Sequence, residues 1–231
     1  MPDREIRSTG VIIEGMDSLV KSVIARIEAR GLDPELPTGI DNLDAATWGL
    51  HRSEVTIIAG RPGEGKTALA LQICSHLAQL GKRVAFVSLE MTRQQLVERW
   101  LVQLTQTDAW SLRTGKDVEA FKAKLTQYDG FFTQVNFRCV DGCGYTIGEL
   151  QHLLNKFVED GGGAPDVLVL DFIQLISPEG GMQKFDAIAE YIRAVKELAM
   201  RHDMAVILCS QVNREGGRES AKHPPKLVHL K

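Results

Sequence analysis

The chain has no excess charge of one sign: 27 Lys and Arg stand against 30 Asp and Glu, a net charge of −3. That balance gives no global basic field for nucleic acid, so any contact with DNA has to come from local loops. Cysteine is scarce. Cys74, Cys139, Cys143 and Cys209 form no paired framework, which argues against a disulfide scaffold and for a reducing compartment. Cys139-x-x-x-Cys143 is at most half a metal site, because no second Cys or His pair stands at zinc-finger spacing. The six histidines show no ligand or catalytic spacing. No apolar run approaches a membrane span and no secretory leader is visible, so the expected location is cytoplasmic, with no membrane partner. Internal repeats and low-complexity tracts are missing too. With 231 residues, 44% of them hydrophobic and 25% charged, the chain fits one α/β domain with a short appendage.

One stretch organises the rest. The apolar run Val55 to Ala59 reads as a buried strand, and it runs straight into Gly60-Arg61-Pro62-Gly63-Glu64-Gly65-Lys66-Thr67. A helix-forming segment with apolar residues at helical spacing follows from Ala68. Strand, glycine loop and helix are the context that a P-loop requires. Its glycines let backbone N–H groups turn toward a phosphate chain, and the helix N-terminus adds partial positive charge. In this pattern Lys66 reaches the β- and γ-phosphates and the Thr67 hydroxyl holds Mg²⁺. The expected ligand is a nucleoside triphosphate.

Along the chain, Leu19, Val20, Val23, Ile24 and Ile27 mark one face of a helix from Asp17, stopped by Gly31. Two prolines before Gly39 set this helix apart from the core, so it either packs on its own domain or docks on a neighbouring subunit. Further strands are expected at Val84–Ser88, Val135–Val140, Val167–Asp171 and Ala205–Cys209. Capping boxes at Thr92-x-x-Gln95 and Thr146-x-x-Glu149 open helices to about Thr105 and Glu159. One or two short helices fill Asp108 to Gln127, and a long amphipathic helix runs from Phe185 to about His202. Strands alternating with helices predict a mostly parallel sheet covered on both faces.

All carboxyl ends of a parallel sheet share one edge, and ligands bind there. The P-loop, Glu90, Asp171 and Gln211 all fall at or just past strand ends. Asp171 closes Val-Leu-Val-Leu, the Walker B pattern of a carboxylate that holds Mg²⁺; the plainer role is a capping aspartate. Glu90 can orient an attacking water or take its proton, or it is a surface glutamate favoured by a helix N-terminus. Gln211 can hydrogen-bond the γ-phosphate and report its loss, or it is a satisfied loop residue. Arg214, Arg218 and Lys222 lie in the Gly-rich segment beyond, with Lys184 in a second loop. They are candidates for gripping a nucleic-acid backbone, and a solvated loop is the alternative. No aromatic residue accompanies them, so base stacking is not indicated.

Phe86-Val-Ser-Leu-Glu-Met91, Leu112-Arg-Thr-Gly115, Val169-Leu-Asp-Phe-Ile-Gln-Leu175 and Cys209-Ser-Gln-Val-Asn-Arg214 resemble, in order, motifs of the bacterial and phage replicative helicases of the DnaB type. Pro37-Thr-Gly-Ile-Asp-Asn-Leu-Asp44 is similar to the segment before their P-loop. The resemblance covers about residues 17 to 230. It implies a RecA-like P-loop NTPase fold, a homo-hexameric ring, ATP and Mg²⁺ as ligands, and movement on single-stranded DNA. It makes Glu90 the catalytic carboxylate and Gln211 the γ-phosphate sensor. The helix of residues 17–30 corresponds to the linker helix that packs on the adjacent subunit, and the loops after Ile176 and Arg214 to the pore. A helicase loader or a primase is the implied protein partner. The expected division is a tail and linker helix over residues 1–36 and an ATPase domain over 37–231.

The amino-terminal domain of those helicases has no counterpart here, nor do their last DNA-loop motif and the segment carrying the arginine finger. A finger contributes roughly 10³ to 10⁵ in rate in other NTPases, so the chain alone is expected to bind ATP well and hydrolyse it weakly. Two other readings stand beside the helicase motor. One is a different RecA-type ATPase, recombinase-like. The other is a non-catalytic ATP-binding module that joins or blocks a full-length ring.

Overall fold

The computed structural model describes residues 15–28, 33–142, 145–161, 163–171 and 184–212. They fall into two compact units, Met1–Glu35 and Leu36–Lys231. The first unit contributes helix α1 (Met16–Glu28). Asp17 in its first turn pairs with Lys21 at 2.7 Å, an i,i+4 bridge in the favourable orientation. Its apolar stripe, Leu19, Val20, Val23, Ile24 and Ile27, is 42–57% exposed. The expected stop at Gly31 lies outside the described residues.

The second unit is a parallel α/β sandwich. Its strands are β1 (Val55–Gly60), β2 (Val84–Ser88), β3 (Phe137–Asp141), β4 (Val167–Asp171) and β5 (Ala205–Gln211). They form one sheet in the order β1-β5-β4-β2-β3, and every pairing is parallel. Two helices cover one face: α3 (Lys66–Gln79) and α4 (Arg93–Thr105). There Leu71, Leu77, Leu96 and Trp100 pack on Val84, Phe86, Val169 and Ile207. The Trp100 ring stacks on Phe137 with centroids 4.4 Å apart, which pins α4 to β3. On the other face lie α8 (Ile147–Gly161) and α9 (Lys184–His202), where Leu150, Leu154, Tyr191, Val195 and Leu198 meet Val87, Leu168, Leu170 and Leu208. The connections after β1 and β2 therefore cover one face and those after β3 and β4 the other, while all five strands keep their carboxyl ends on one edge.

Both capping boxes form. Thr92 and Gln95 exchange side-chain and backbone bonds at the start of α4, and Thr146 and Glu149 do so before α8. The two short helices are α5 (Ala109–Arg113) and α6 (Val118–Leu125), with Gly115 between them at φ +71°.

Two expectations need correction, and one helix has no counterpart among them. β1 is not a buried strand. Among the described residues it is the end strand of the sheet, and Thr56, Ile57 and Ala59 are exposed, Ile57 at 44%. Full burial on both faces holds for β2 and β4. β3 starts at Phe137, two residues later than expected, because α7 (Phe131–Gln134) precedes it and Val135 closes that helix on the Phe131 carbonyl. Helix α2 (Asp41–Thr47) carries no apolar periodicity and buries none of its residues. The Asp44 carboxylate stabilises it, accepting from the Thr38 amide and hydroxyl, both at 2.8 Å, and from the Gly39 amide at 3.0 Å.

Candidate functional site

The loop from Gly60 to Thr67 folds around its own backbone. Gly63 and Gly65 adopt φ of +80° and +87°, left-handed conformations that glycine takes without strain. Glu64 Oε2 accepts from the Arg61 amide at 2.7 Å, and Lys66 Nζ donates to the Arg61 carbonyl at 2.9 Å. Pro62 at the tip is exposed. Gly65 is the N-cap of α3 and no side chain caps that helix. The first-turn amides of α3 are thus available to an anion, with the helix dipole behind them.

Asp171 ends β4 and is 1% exposed. The Thr67 hydroxyl donates to its Oδ2 at 2.7 Å. Its other oxygen, Oδ1, is buried without a hydrogen-bond partner. A buried carboxylate oxygen left open beside a threonine hydroxyl is the oxygen-donor set that suits Mg²⁺. Leu170 pairs with Leu208, so Cys209 stands beside Asp171 on the next strand. Burial, then the neighbouring Asp171 charge and a thiol hydrogen bond to the Asp171 carboxylate, push the Cys209 thiol far above its ordinary pKa, so it stays protonated.

Gln211 is the last residue of β5 and pairs in register with Gly60 at the root of the loop. Glu90 lies two residues past β2 and is exposed. The strand order places the P-loop, Gln211, Asp171 and Glu90 at the carboxyl ends of β1, β5, β4 and β2, four consecutive strands. One sheet edge therefore gathers a glycine loop at a helix N-terminus, a buried carboxylate, an amide and an exposed carboxylate.

The family model described as DnaB-like helicase C terminal domain matches residues 35–231. The chain belongs to that family. It is 33% identical over 192 residues to the replicative DNA helicase DnaB of Geobacillus stearothermophilus, covering 82% of this chain and 42% of that protein. With the replicative DNA helicase DnaB of Haemophilus influenzae it shares 28% identity over 219 residues, 92% of this chain and 47% of that one. A solved structure of a DnaB-like replicative helicase, described with its interactions with primase, superposes with a TM-score of 0.84 at 25% identity. That match covers 94% of this chain and 54% of the other. The chain thus spans about half the length of these relatives.

In this DnaB-like domain Glu90 borders a cavity of about 790 Å³, whose walls include Met91, Gln95, Arg99, Trp110 and Arg113. Arg214, Arg218 and Lys222 lie outside the described residues. Lys184 opens α9, and its side chain is outside the described set. Cys139 is half-buried on β3, its partner candidate Cys143 is not among the described residues, and no group of three or more metal-ligating side chains occurs among those that are. No described helix is long and apolar enough to cross a membrane.

Sequence reasoning missed Ser88 and Asp141. Both close strands, and register sets Ser88 between Asp171 and Asp141. The alternation of side chains along a strand offered the signal: Val84, Phe86 and Ser88 share the α3 face, as do Val167, Val169 and Asp171.

Proposed function

We propose that this chain is the ATP-hydrolysing motor domain of a replicative DNA helicase, acting on single-stranded DNA as a homo-hexameric ring in the cytoplasm. The observation that carries this is the Thr67 to Asp171 contact at 2.7 Å with Oδ1 of Asp171 buried and open. Loop amides and Lys66 bind and orient the triphosphate, and Lys66 exchanges the Arg61 carbonyl for phosphate oxygens. Thr67 and Asp171 are the residues that would hold Mg²⁺; bound there, the ion neutralises charge on the phosphate oxygens. Glu90 orients the attacking water and accepts its proton. Gln211, next to Gly60 in register, hydrogen-bonds the γ-phosphate and passes its loss to the segment with Arg214, Arg218 and Lys222, which grips the DNA backbone with help from Lys184. The exposed stripe of α1 is the surface that joins one subunit to the next, and a loader or primase is the further partner class.

The test is ATP hydrolysis by the purified chain and by Glu90→Gln, with and without single-stranded DNA, together with its mass in nucleotide. DNA-stimulated hydrolysis abolished by Glu90→Gln, in a ring-sized particle, supports the motor. Tight nucleotide binding without turnover in a monomer points instead to an ATP-binding interaction module.

A further inference from the structure

The turn that presents Glu90 is held at several points. Ser88, the last residue of β2, is 1% exposed. Its hydroxyl donates to the Met91 carbonyl at 2.8 Å and accepts from the Met91 amide at 3.2 Å. One side chain thus satisfies both backbone groups of the residue that follows Glu90. On the near side, the Leu89 amide donates to the Asp171 carbonyl at 2.7 Å and the Gly142 amide to the Ser88 carbonyl at 3.1 Å. On the far side, the Arg93 amide donates to Asp141 Oδ2 at 2.9 Å, and the Thr92 capping box starts α4. Glu90 is exposed between these anchors.

The Leu89 bond ties the turn to the backbone of Asp171, but it precedes Glu90. Without the Ser88 hydroxyl, Met91 loses its side-chain tie and the turn gains freedom just where Glu90 leaves the backbone. A displacement of about 1 Å at a reacting group costs up to about 10²-fold in rate. We propose that Ser88 is a positioning residue that fixes Glu90 relative to Asp171 by holding both backbone polar groups of Met91. This rests on reading Glu90 as the group that orients the attacking water.

The experiment uses the full chain and the variants Ser88→Ala, Ser88→Thr, Glu90→Gln and the Ser88→Ala/Glu90→Gln pair. Amide hydrogen exchange is read at Met91 and Leu89. Ser88→Ala is expected to speed Met91 exchange by about tenfold or more, leave Leu89 unchanged, and be rescued by Ser88→Thr. Where the chain turns ATP over, Ser88→Ala lowers kcat by about 10- to 100-fold and keeps KM for ATP within about twofold. The pair loses no more than Glu90→Gln alone, as expected for two residues acting as one unit. If Ser88→Ala does not fold, Ser88→Cys, which keeps the volume and bonds weakly, is read in its place. Unchanged Met91 exchange overturns the proposal, with or without turnover. So does a wild-type kcat in Ser88→Ala when Glu90→Gln is inactive, and that result leaves the role of Glu90 standing. Full activity in Glu90→Gln removes the Glu90 reading itself, and the positioning role goes with it.

Discussion

The Thr67 hydroxyl donates a 2.7 Å hydrogen bond to Oδ2 of Asp171, across 104 residues of sequence. This contact ties the first turn of α3 to the end of β4 and leaves Oδ1 of the same carboxylate buried and open. A metal seated there would draw on both residues, so losing the hydroxyl should weaken metal-dependent binding selectively. Thr67→Ala is expected to lower nucleotide affinity in Mg²⁺ by about 10- to 100-fold. In EDTA the same change should matter by less than about threefold, because the loop amides and Lys66 still bind phosphate. Fluorescent-nucleotide titration under the two conditions checks the difference. Equal losses in both would show that Thr67 supports the loop and not a metal.

Gln211 lies beside Gly60 in register, so its side chain starts from the root of the phosphate loop. A γ-phosphate sensor at this place would act after binding. Gln211→Ala should leave ATP affinity within about threefold, since the loop supplies most of the binding, and lower DNA-stimulated kcat by about tenfold or more. Comparing ATP with ADP affinity provides a second check. The preference for ATP should shrink if the amide touches the γ-phosphate and stay the same if it does not.

Local sequence made much of this site legible. Glycine, lysine and threonine at fixed spacing after an apolar run specify a strand, a left-handed loop and an uncapped helix, and the loop has that form at Gly63 and Gly65. Thr92 and Gln95 carry their own helix start. Cross-strand placement was not legible. That Gln211 pairs with Gly60, Cys209 with Ile58 and Ser88 with Asp171 depends on strand order and register, which no single segment encodes. The misreading of β1 has the same origin. Val-Thr-Ile-Ile-Ala is apolar enough for the centre of a sheet, and it is topology that makes it the end strand among the described residues. Helix α2 escaped notice because Asp44 and Thr38 stabilise it by hydrogen bonding, without an apolar face.

Tyr191 is 1% exposed on α9, and its hydroxyl has no hydrogen-bond partner. Burial raises its pKa far above the ordinary phenol value, so it stays neutral. The ring packs among Leu154, Val195 and Leu198, and the oxygen carries a desolvation cost with no compensating bond. Tyr191→Phe is therefore expected to stabilise the domain by roughly 1 kcal/mol, a reversal of the usual effect of core substitutions. Urea denaturation would register this as a higher midpoint at constant slope. A lower midpoint would mean that the hydroxyl is satisfied in solution, for instance by a buried water.

Asp166 holds the amino-terminal side of the sheet. Its Oδ1 pairs with Arg52 Nη2 at 2.7 Å, and its Oδ2 accepts from the Arg83 amide at 2.7 Å. The Arg52 guanidinium also donates to the Asp203 carbonyl at 2.9 Å, so one network joins the residues before β1, β2, β4 and β5. Burial alone would push the Asp166 carboxyl up. The Arg52 hydrogen bond, the Arg83 amide and the two arginine charges outweigh it and hold the group below the usual aspartate range. A lowered native pKa means that the unfolded chain binds the proton more tightly, so acid favours unfolding. The contribution is present in full above the unfolded value, about pH 4, and is lost as pH falls through the lower native value. Asp166→Ala, which strands the Arg83 amide and the Arg52 charge, should cost about 2–3 kcal/mol at pH 7. The gap between variant and parent should narrow as pH falls below about 4, because the parent then loses the same interaction. Denaturation midpoints of both proteins from pH 7 to pH 3 test this, and a constant gap would mean that Asp166 acts by packing and not by charge.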